Sequence, residues 1–148
     1  MAHTTPTHAR LVLRAQVARD VMSSNPVSLE ANARLPDALS LFVDRGFGAA
    51  PVIDAAGRAI GVLAKIDILN YQNSPLVQSG TLPEMLDRPR VSDLMSPVVY
   101  KVLPETPIWE VLEQIRSLKV HHLFVQDRHG VLLGVISTLD ILERIVLE

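Results

Sequence analysis

The stretch Gly61-Val62-Leu63-Ala64-Lys65-Ile66-Asp67-Ile68-Leu69 returns later in the chain as Gly134-Val135-Ile136-Ser137-Thr138-Leu139-Asp140-Ile141-Leu142. In the same way, Asp20-Val21-Met22-Ser23 returns as Asp93-Leu94-Met95-Ser96. A single offset of 73 residues aligns positions 20–69 with positions 93–142 without a gap, and 12 of these 50 pairs are identical. A constant register indicates two copies of one supersecondary unit, which is too small to bury its apolar face alone. We therefore expect the copies to pack on each other and any ligand to lie in the cleft between them.

Both copies predict the same order of elements, a short strand, a helix, a hairpin and a second helix. In the first copy these fall at residues 27–29, 35–46, 50–63 and from 64 onward. In the second copy the strand covers 98–102 and the hairpin 123–136, and the closing helix runs from about 138 towards residue 148. Thr106 is expected as the N-cap of the intervening helix, with Pro107 at its first position. The fold class is therefore α+β, a β-α-β-β-α unit given twice.

The same pattern sets the expected organisation of the chain. Residues 1–16 form an N-terminal tail with a short apolar lead at 11–13, residues 17–72 the first copy, 73–90 a linker and 91–148 the second copy. With 48% apolar and only 4% aromatic residues, the core should be aliphatic.

Composition excludes several classes of function. The chain has no cysteine, which rules out disulfides, thiolate metal sites and a cysteine nucleophile. Lys and Arg number 14 against 16 Asp and Glu, so no basic surface for nucleic acid or membrane is expected. The start of the chain lacks the apolar region of a secretory signal, and no apolar run is long enough to span a bilayer. We expect a cytoplasmic protein without membrane association.

With these motifs in this order, the chain resembles the tandem CBS domain pair, or Bateman module, from about residue 17 to 145. The resemblance rests on the Met-Ser opening, the strand Ala50-Pro51-Val52, the Asp- and Gly-containing hairpin and the Gly-x-x-x-x-x-Asp segment that follows it. It implies two β-α-β-β-α repeats packed around a pseudo-two-fold axis. It also implies a homodimer, and a cleft for adenosine nucleotides or S-adenosylmethionine as a regulatory ligand, with no other cofactor.

Ser137-Thr138-Leu139-Asp140 is the sharpest candidate site, because it follows a buried strand and opens a helix. Backbone N–H groups and the positive end of the helix dipole at such a point favour an anion. The resemblance gives Asp140 the role of accepting hydrogen bonds from ribose hydroxyls, and Ser137 that of holding sugar or phosphate. Ser-x-x-Asp is also a capping-box pattern, and the two roles are compatible.

The first copy departs from this pattern. Asp67 is present, but Ala64 stands where the hydroxyl residue is expected, which removes both a cap and a ligand contact. Lys65 could meet a phosphate in compensation, although a solvated surface lysine is the simpler interpretation. We predict two unequal clefts, with at most one tight site, centred on Asp140.

His121-His122-Leu123 lies just before a buried strand. A metal site is disfavoured because adjacent strand residues point to opposite faces. The stretch is similar to a His-Arg-Leu-Pro-Val stretch in a nucleotide-binding family member, where the basic pair contacts phosphates. Here His122 replaces the arginine, so phosphate binding should be weaker and pH-dependent. Surface histidines flanking a strand remain the alternative.

Adenine needs an apolar slot and backbone hydrogen bonds. The residues that match such a slot are all aliphatic: Val98, Val99 and Leu123 in the second copy, and Val27 and Ala50 in the first.

No catalytic constellation is evident in the sequence, and we do not expect an enzyme. The predicted function is a regulatory module that senses an adenosine-containing ligand (AMP, ADP, ATP or S-adenosylmethionine) and signals by a conformational shift to a separate effector protein. The homodimer should form through long closing helices. The alternative is a structural or interaction scaffold of the same fold that binds no ligand, an interpretation supported by Ala64 and His122.

Overall fold

The computed structural model describes residues 9–24, 26–46, 48–73 and 89–148. Its strands, in chain order, are β1 Leu11–Leu13, β2 Ser23–Ser24, β3 Leu29–Glu30, β4 Ala49–Ile53, β5 Ala59–Ala64, β6 Lys101–Val102, β7 His122–Gln126, β8 Leu132–Ser137 and β9 Ile145–Leu147. Its helices are α1 Leu35–Arg45, α2 Lys65–Gln72, α3 Val91–Leu94, α4 Ile108–Leu118 and α5 Thr138–Leu142, and Ala18–Asp20 forms a 3₁₀ turn. The α+β fold class is confirmed.

The chain divides into two compact units. Of the described residues, the unit that we call the Asp140 unit contains 9–24, 100–127 and 133–148. The other, the Asp67 unit, contains 26–46, 48–73, 89–99 and 128–132. The opening segment of each sequence copy therefore belongs to the unit built mainly from the other copy.

The Asp140 unit contains a four-stranded sheet in the order β2-β8-β7-β6 and a separate two-stranded ribbon, β1-β9. Strands β6 and β7 are parallel, whereas β2 runs antiparallel to β8. The Asp67 unit contains the sheet β3-β4-β5, with β3 and β4 parallel and β4 and β5 antiparallel. Ser96 bridges Val62 at the far edge of β5, which reproduces the place of β2 in the other unit.

Each unit has its own core, made almost entirely of aliphatic side chains. That of the Asp67 unit includes Leu29, Leu35, Ala38, Phe42, Ala50, Val52, Leu63, Ile68 and Val91. That of the Asp140 unit includes Ala18, Val21, Val102, Val111, Leu123, Val125, Ile136 and Ile141. Within the part of the chain that the structure describes, no charged or polar residue is buried.

Two glycines explain how each opening segment fits against a strand. A Cβ at Gly134 would lie 2.8 Å from both the Met22 Sδ and the Ser23 carbonyl oxygen. A Cβ at Gly61 would lie 2.5 Å from the Met95 Sδ and 2.7 Å from the Ser96 carbonyl oxygen. These separations are too short for any side chain, so glycine is required at both positions for the Met-Ser backbone to approach the strand.

Several predicted elements were wrong in extent. The strand predicted at 98–102 covers only β6, and the one predicted at 27–29 is displaced to β3. The closing helix does not continue towards residue 148, because α5 ends at Leu142 and the chain turns into β9. Thr106 is not the N-cap of α4; its hydroxyl accepts a hydrogen bond from the Leu103 N–H (3.0 Å), and Pro107 takes the cap position.

The predicted tail is also partly structured. Its apolar lead forms β1 and pairs with β9 in the register Leu11↔Leu147, Val12↔Val146 and Leu13↔Ile145. Residues 1–8, and 74–88 of the predicted linker, lie outside the described residues. Among the helices that the structure describes, none is long and apolar enough to cross a membrane.

Candidate functional site

The start of α5 holds the carboxylate that the sequence singles out. Ser137 ends β8 and is the N-cap of the helix, and its hydroxyl accepts a hydrogen bond from the Asp140 N–H (3.1 Å). In return, the Asp140 Oδ2 accepts one from the Ser137 N–H (2.8 Å). This is a complete capping box, in which two backbone donors of the first turn are satisfied reciprocally. The capping interpretation is confirmed, and the box fixes the orientation of the carboxylate.

The backbone donors at this helix end are largely used by the protein itself. Besides the two donors in the box, the Thr138 N–H is bonded to the His121 carbonyl oxygen (3.2 Å). An anion therefore finds few free N–H groups here, contrary to the argument from the helix dipole, and a helix of five residues has a small dipole. The site instead offers an oriented, partly exposed carboxylate. Such a group accepts hydrogen bonds from hydroxyls.

One oxygen of this carboxylate is available. The Oδ2 of Asp140 is hydrogen-bonded to the Ser137 N–H, whereas the Oδ1 has no hydrogen-bond partner among the described residues. The Thr138 side chain lies on the same first turn and is also partly exposed. Three residues, Ser137, Thr138 and Asp140, thus place two hydroxyls and a carboxylate at one end of α5.

His121 and His122 lie next to this end of α5, because the Thr138 N–H binds the carbonyl of His121. Both histidines are exposed to solvent. Desolvation of the imidazole lowers the pKa of His122 below its ordinary value of 6.5, and the neighbouring His121 lowers it further. The Asp140 carboxylate acts in the opposite direction. His122 is therefore electrostatically coupled to the carboxylate, and it carries less positive charge near pH 7 than an ordinary histidine.

At the start of α2 in the Asp67 unit, only one of the two hydrogen bonds of the capping box is present. The Asp67 Oδ2 accepts a hydrogen bond from the Ala64 N–H (2.8 Å), as Asp140 does from Ser137. Ala64 has no hydroxyl, so the reciprocal bond is missing and no side chain caps α2. Lys65 is exposed and its N–H is bonded to the Gly48 carbonyl oxygen (3.0 Å). The lysine side chain lines an apolar groove of about 280 Å³ between α1 and α2, with Leu39, Phe42, Val43, Ile68 and Leu69.

The aliphatic residues predicted for an adenine slot have different environments. Leu123 is completely buried in the core of the Asp140 unit, and Ala50 is 2% exposed in that of the Asp67 unit. Val98 and Val27 are not core residues, with 53% and 36% of their surface exposed, and Val99 is partly exposed. Of this set, only the valines are accessible from solvent, whereas Leu123 and Ala50 are core residues of their units.

Two further carboxylates use the same geometry and were not assigned a role from the sequence. The Asp93 Oδ2 accepts from the Arg90 N–H (2.8 Å), and the Asp20 Oδ2 accepts from the Val17 N–H (3.0 Å) and the Gln16 N–H (2.9 Å). The Val17 and Gln16 hydrogen bonds hold the pKa of Asp20 below its ordinary value of 3.8. The signal was present in the sequence, since both aspartates precede the repeated Met-Ser pair by two residues.

No group of three or more metal-ligating side chains comes together within the described ranges. The site is therefore best described as a carboxylate and two hydroxyls at a helix start, flanked by two exposed histidines.

Comparison with known proteins identifies the fold. The family model described as "CBS domain" matches residues 18–74 and again 91–147. The chain is 34% identical over 113 residues to the 5'-AMP-activated protein kinase subunit gamma-3 of Bos taurus, covering 75% of this chain and 22% of that protein. It is 29% identical over 143 residues to the putative DUF21 domain-containing protein At3g13070 of Arabidopsis thaliana, covering 96% of this chain and 19% of that protein. This chain therefore spans about a fifth of the length of these relatives.

Two solved structures have the same fold. CBSX2 in complex with AMP superposes with a TM-score of 0.74 at 23% identity, covering 87% of this chain and 95% of that one. The CBS domain of a bacterial CNNM/CorC family Mg²⁺ transporter, in complex with ATP, superposes with a TM-score of 0.69 at 25% identity, covering 86% and 85%.

Proposed function

This chain belongs to the CBS-domain family and carries two copies of the domain in tandem, and from that premise we propose that it is a regulatory module that binds an adenosine-containing ligand. AMP, ADP, ATP and S-adenosylmethionine are the candidate ligands. The CNNM/CorC CBS domain that shares this fold is a complex with ATP, and the gamma-3 relative belongs to a kinase named for its activation by AMP. These relatives support the class of ligand.

The observation that carries the proposal is the orientation of the Asp140 carboxylate. Its Oδ2 is held by the Ser137 N–H at 2.8 Å, so the carboxylate is fixed before a ligand arrives. A pair of ribose hydroxyls provides two donors for such an acceptor, and hydrogen bonds to an ionised acceptor are stronger than neutral ones. Because the group is already oriented, binding requires little further ordering of the side chain.

The proposed site is centred on the Asp140 unit, and Asp67 is the weaker counterpart because Ala64 lacks the capping hydroxyl. Ser137 and Thr138 contribute hydroxyls beside the sugar, and His121 and His122 lie within reach of a phosphate. The apolar contacts with the base that the sequence assigns to the exposed valines remain predictions.

Signalling is proposed to occur by a population shift. A ligand can change the balance between two conformations only by its differential affinity for them. Because no enzymatic activity is expected from the sequence, the proposed output is a contact with a separate effector protein. The homodimer and the cytoplasmic location expected from the sequence remain predictions.

A panel of ligands tests the proposal directly. A compound that binds only the native state raises the melting temperature. It raises the free energy of unfolding by about 2.7 kcal/mol at a ligand concentration one hundred times its Kd. We expect AMP, ADP, ATP or S-adenosylmethionine to raise the Tm by several degrees, with NAD as a bulkier comparison. The absence of a shift with every compound at millimolar concentration would leave the ligand-free scaffold as the better interpretation. Incubation with ATP followed by product analysis checks that no hydrolysis accompanies binding.

The histidine pair predicts a pH dependence for phosphate-bearing ligands. Because the pKa of His122 is lowered from its ordinary value of 6.5, its imidazole becomes mostly protonated only at a pH below 6.5. A phosphate favours the protonated imidazole, so lowering the pH from 8 to 5.5 should strengthen AMP binding about two- to fivefold in the wild type relative to His122→Gln, as expected for an exposed ion pair. The charged groups that act on the pKa of His122 are His121, which lowers it, and Asp140, which raises it.

Isothermal titration with AMP and with adenosine measures this effect. Adenosine lacks the phosphate and should show no such trend. Because the phosphate itself titrates near pH 6, His122→Gln is the control that separates the two contributions. An equal pH trend in the wild type and in His122→Gln would remove His122 from the phosphate contact.

A further inference from the structure

The β1-β9 ribbon leaves the outer edge of each strand unpaired among the described residues. Arg10 and Glu148 exchange both backbone hydrogen bonds (2.8 and 2.9 Å), and the Arg14 N–H binds the Arg144 carbonyl oxygen (2.9 Å). The even-numbered residues of the ribbon therefore turn their backbone groups inward. In an antiparallel pair the intervening residues turn theirs outward. The N–H and C=O groups of Ile145 and Leu147 thus point outward along the edge of β9, without partners among the described residues.

The two faces of the ribbon differ in character. Successive side chains alternate between the faces. One face carries the even-numbered residues, Arg10, Val12, Arg14, Arg144, Val146 and Glu148. The other carries Leu11, Leu13, Ile145 and Leu147. Leu13 packs against the core of the Asp140 unit, but Leu11 is 74% exposed and Leu147 is 67% exposed. Two large leucines side by side in solvent at an unpaired sheet edge are typical of an interface.

We propose that the edge of β9 pairs antiparallel with β9 of a second copy of this chain, around a two-fold axis through Val146. Such an interface is isologous, because each copy contributes the same residues. The order of residues on β9 is self-complementary in this register. Ile145 lies opposite Leu147 of the second copy, with the outward N–H and C=O groups of both residues hydrogen-bonded. On the other face, Arg144 lies opposite Glu148 of the second copy, which adds a second arginine beside a carboxylate that already contacts Arg14 of its own chain.

The same operation on the edge of β1 is less favourable. A two-fold axis through Val12 would place Arg10 opposite Arg14 of the second copy, twice in each dimer. Like charges directly opposite on neighbouring strands are destabilising. The charge pattern therefore selects β9, and the product is a four-stranded sheet in the order β1-β9-β9-β1. In that sheet each Leu147 contacts the Ile145 of the other copy instead of water.

Disulfide trapping tests the register, because the chain contains no cysteine. Val146→Cys would place two cysteines directly opposite in a non-hydrogen-bonded pair, where Cα atoms are about 4.5 Å apart, within the range that a disulfide spans. The matched control is Val12→Cys, since Val12 pairs with Val146 and is equally half-buried. In the proposed sheet the two copies of position 12 would be about 14 Å apart, three strand spacings. We expect mild oxidation to convert most of Val146→Cys to a disulfide-linked dimer and to leave Val12→Cys without a cross-link.

Sedimentation of the 148-residue chain provides a second measurement that does not depend on oxidation. Arg144→Glu would replace two attractive contacts per dimer with two repulsive ones, and we expect about tenfold weaker self-association. A chain that stays monomeric at all concentrations would overturn the proposal. So would a dimer unaffected by Arg144→Glu, or one that cross-links as readily through position 12 as through position 146. Both measurements are made without ligand, so their outcome is independent of the proposed adenosine site.

Discussion

Replacing Asp140 by Asn is expected to lower the affinity for AMP by roughly ten- to a hundredfold. The amide oxygen of Asn can still accept the hydrogen bond that the Ser137 N–H now donates at 2.8 Å. The capping box and the fold should therefore survive. What is lost is the negative charge that accepts hydrogen bonds from the sugar, and a hydrogen bond to a charged group contributes about 1.5–3 kcal/mol. Isothermal titration of AMP into the two proteins, with unfolding curves to compare their stability, measures both quantities.

The matched control is Asp67→Asn. Asp67 accepts the same backbone hydrogen bond, also at 2.8 Å, but in a box without the capping hydroxyl. We expect this variant to change the affinity of the tight site for AMP by less than about twofold, because Asp67 lies at the weaker counterpart and not at the tight site. An equal loss in both variants would argue for two equivalent sites, and an unchanged affinity in Asp140→Asn would rule out the proposed sugar contact.

Replacing Gly134 by Ala is expected to destabilise the protein by about 2–3 kcal/mol, at the upper end of the usual cost of overpacking. The new Cβ would lie 2.8 Å from the Ser23 carbonyl oxygen. Since Ser23 and Ser24 pair with β8 at Val135 and Gly134, the carbonyl cannot withdraw without breaking this pairing. The Met22 side chain can bend away, but the backbone cannot. Urea denaturation followed by circular dichroism gives the change in the free energy of unfolding.

Two other glycines serve as comparisons. Gly61→Ala should be as harmful as Gly134→Ala, because its Cβ would lie 2.7 Å from the Ser96 carbonyl oxygen. In contrast, Gly48→Ala should have a small effect, since its nearest neighbour is the flexible end of Lys65 at 3.9 Å. If Gly134→Ala and Gly48→Ala unfolded at the same urea concentration, the close approach of the Met-Ser backbone would not be a constraint in solution.

The repeated sequence predicted most of the fold because its strongest signals are local. The helix predicted to end near Gly46 does so, with Gly46 in the left-handed conformation (φ 68°) that glycine adopts easily. The hairpin of the first copy was also placed correctly. In contrast, the ribbon β1-β9 joins residues more than 130 positions apart, and pairing at that distance leaves no periodic trace in either segment. Leu11-Val12-Leu13 therefore read as part of a tail, and Ile145-Val146-Leu147 as the end of a helix.

The candidate site was predicted in part. The Ser-x-x-Asp spacing indicated the capping box, and the structure contains both of its hydrogen bonds. The bond from the Thr138 N–H to the His121 carbonyl could not be predicted, because it depends on how β7 lies beside the start of α5. That bond uses one of the backbone donors on which the expected anion site depended. The assignment of ligand contacts to the remaining residues is still a prediction.

The crossing of the opening segments has a consequence for how this architecture could arise. Met22 of the first copy packs against Gly134 of the second copy, and Met95 of the second copy packs against Gly61 of the first. A single copy on its own would therefore lack the Met-Ser segment that packs against its second hairpin strand, β5 or β8. In an ancestral protein with one copy per polypeptide, the opening segment would have to pack on the strand of a second molecule. The opening segment of that molecule would in turn pack on the strand of the first. Gene duplication followed by fusion would then have made an obligate exchange between molecules into an exchange within one.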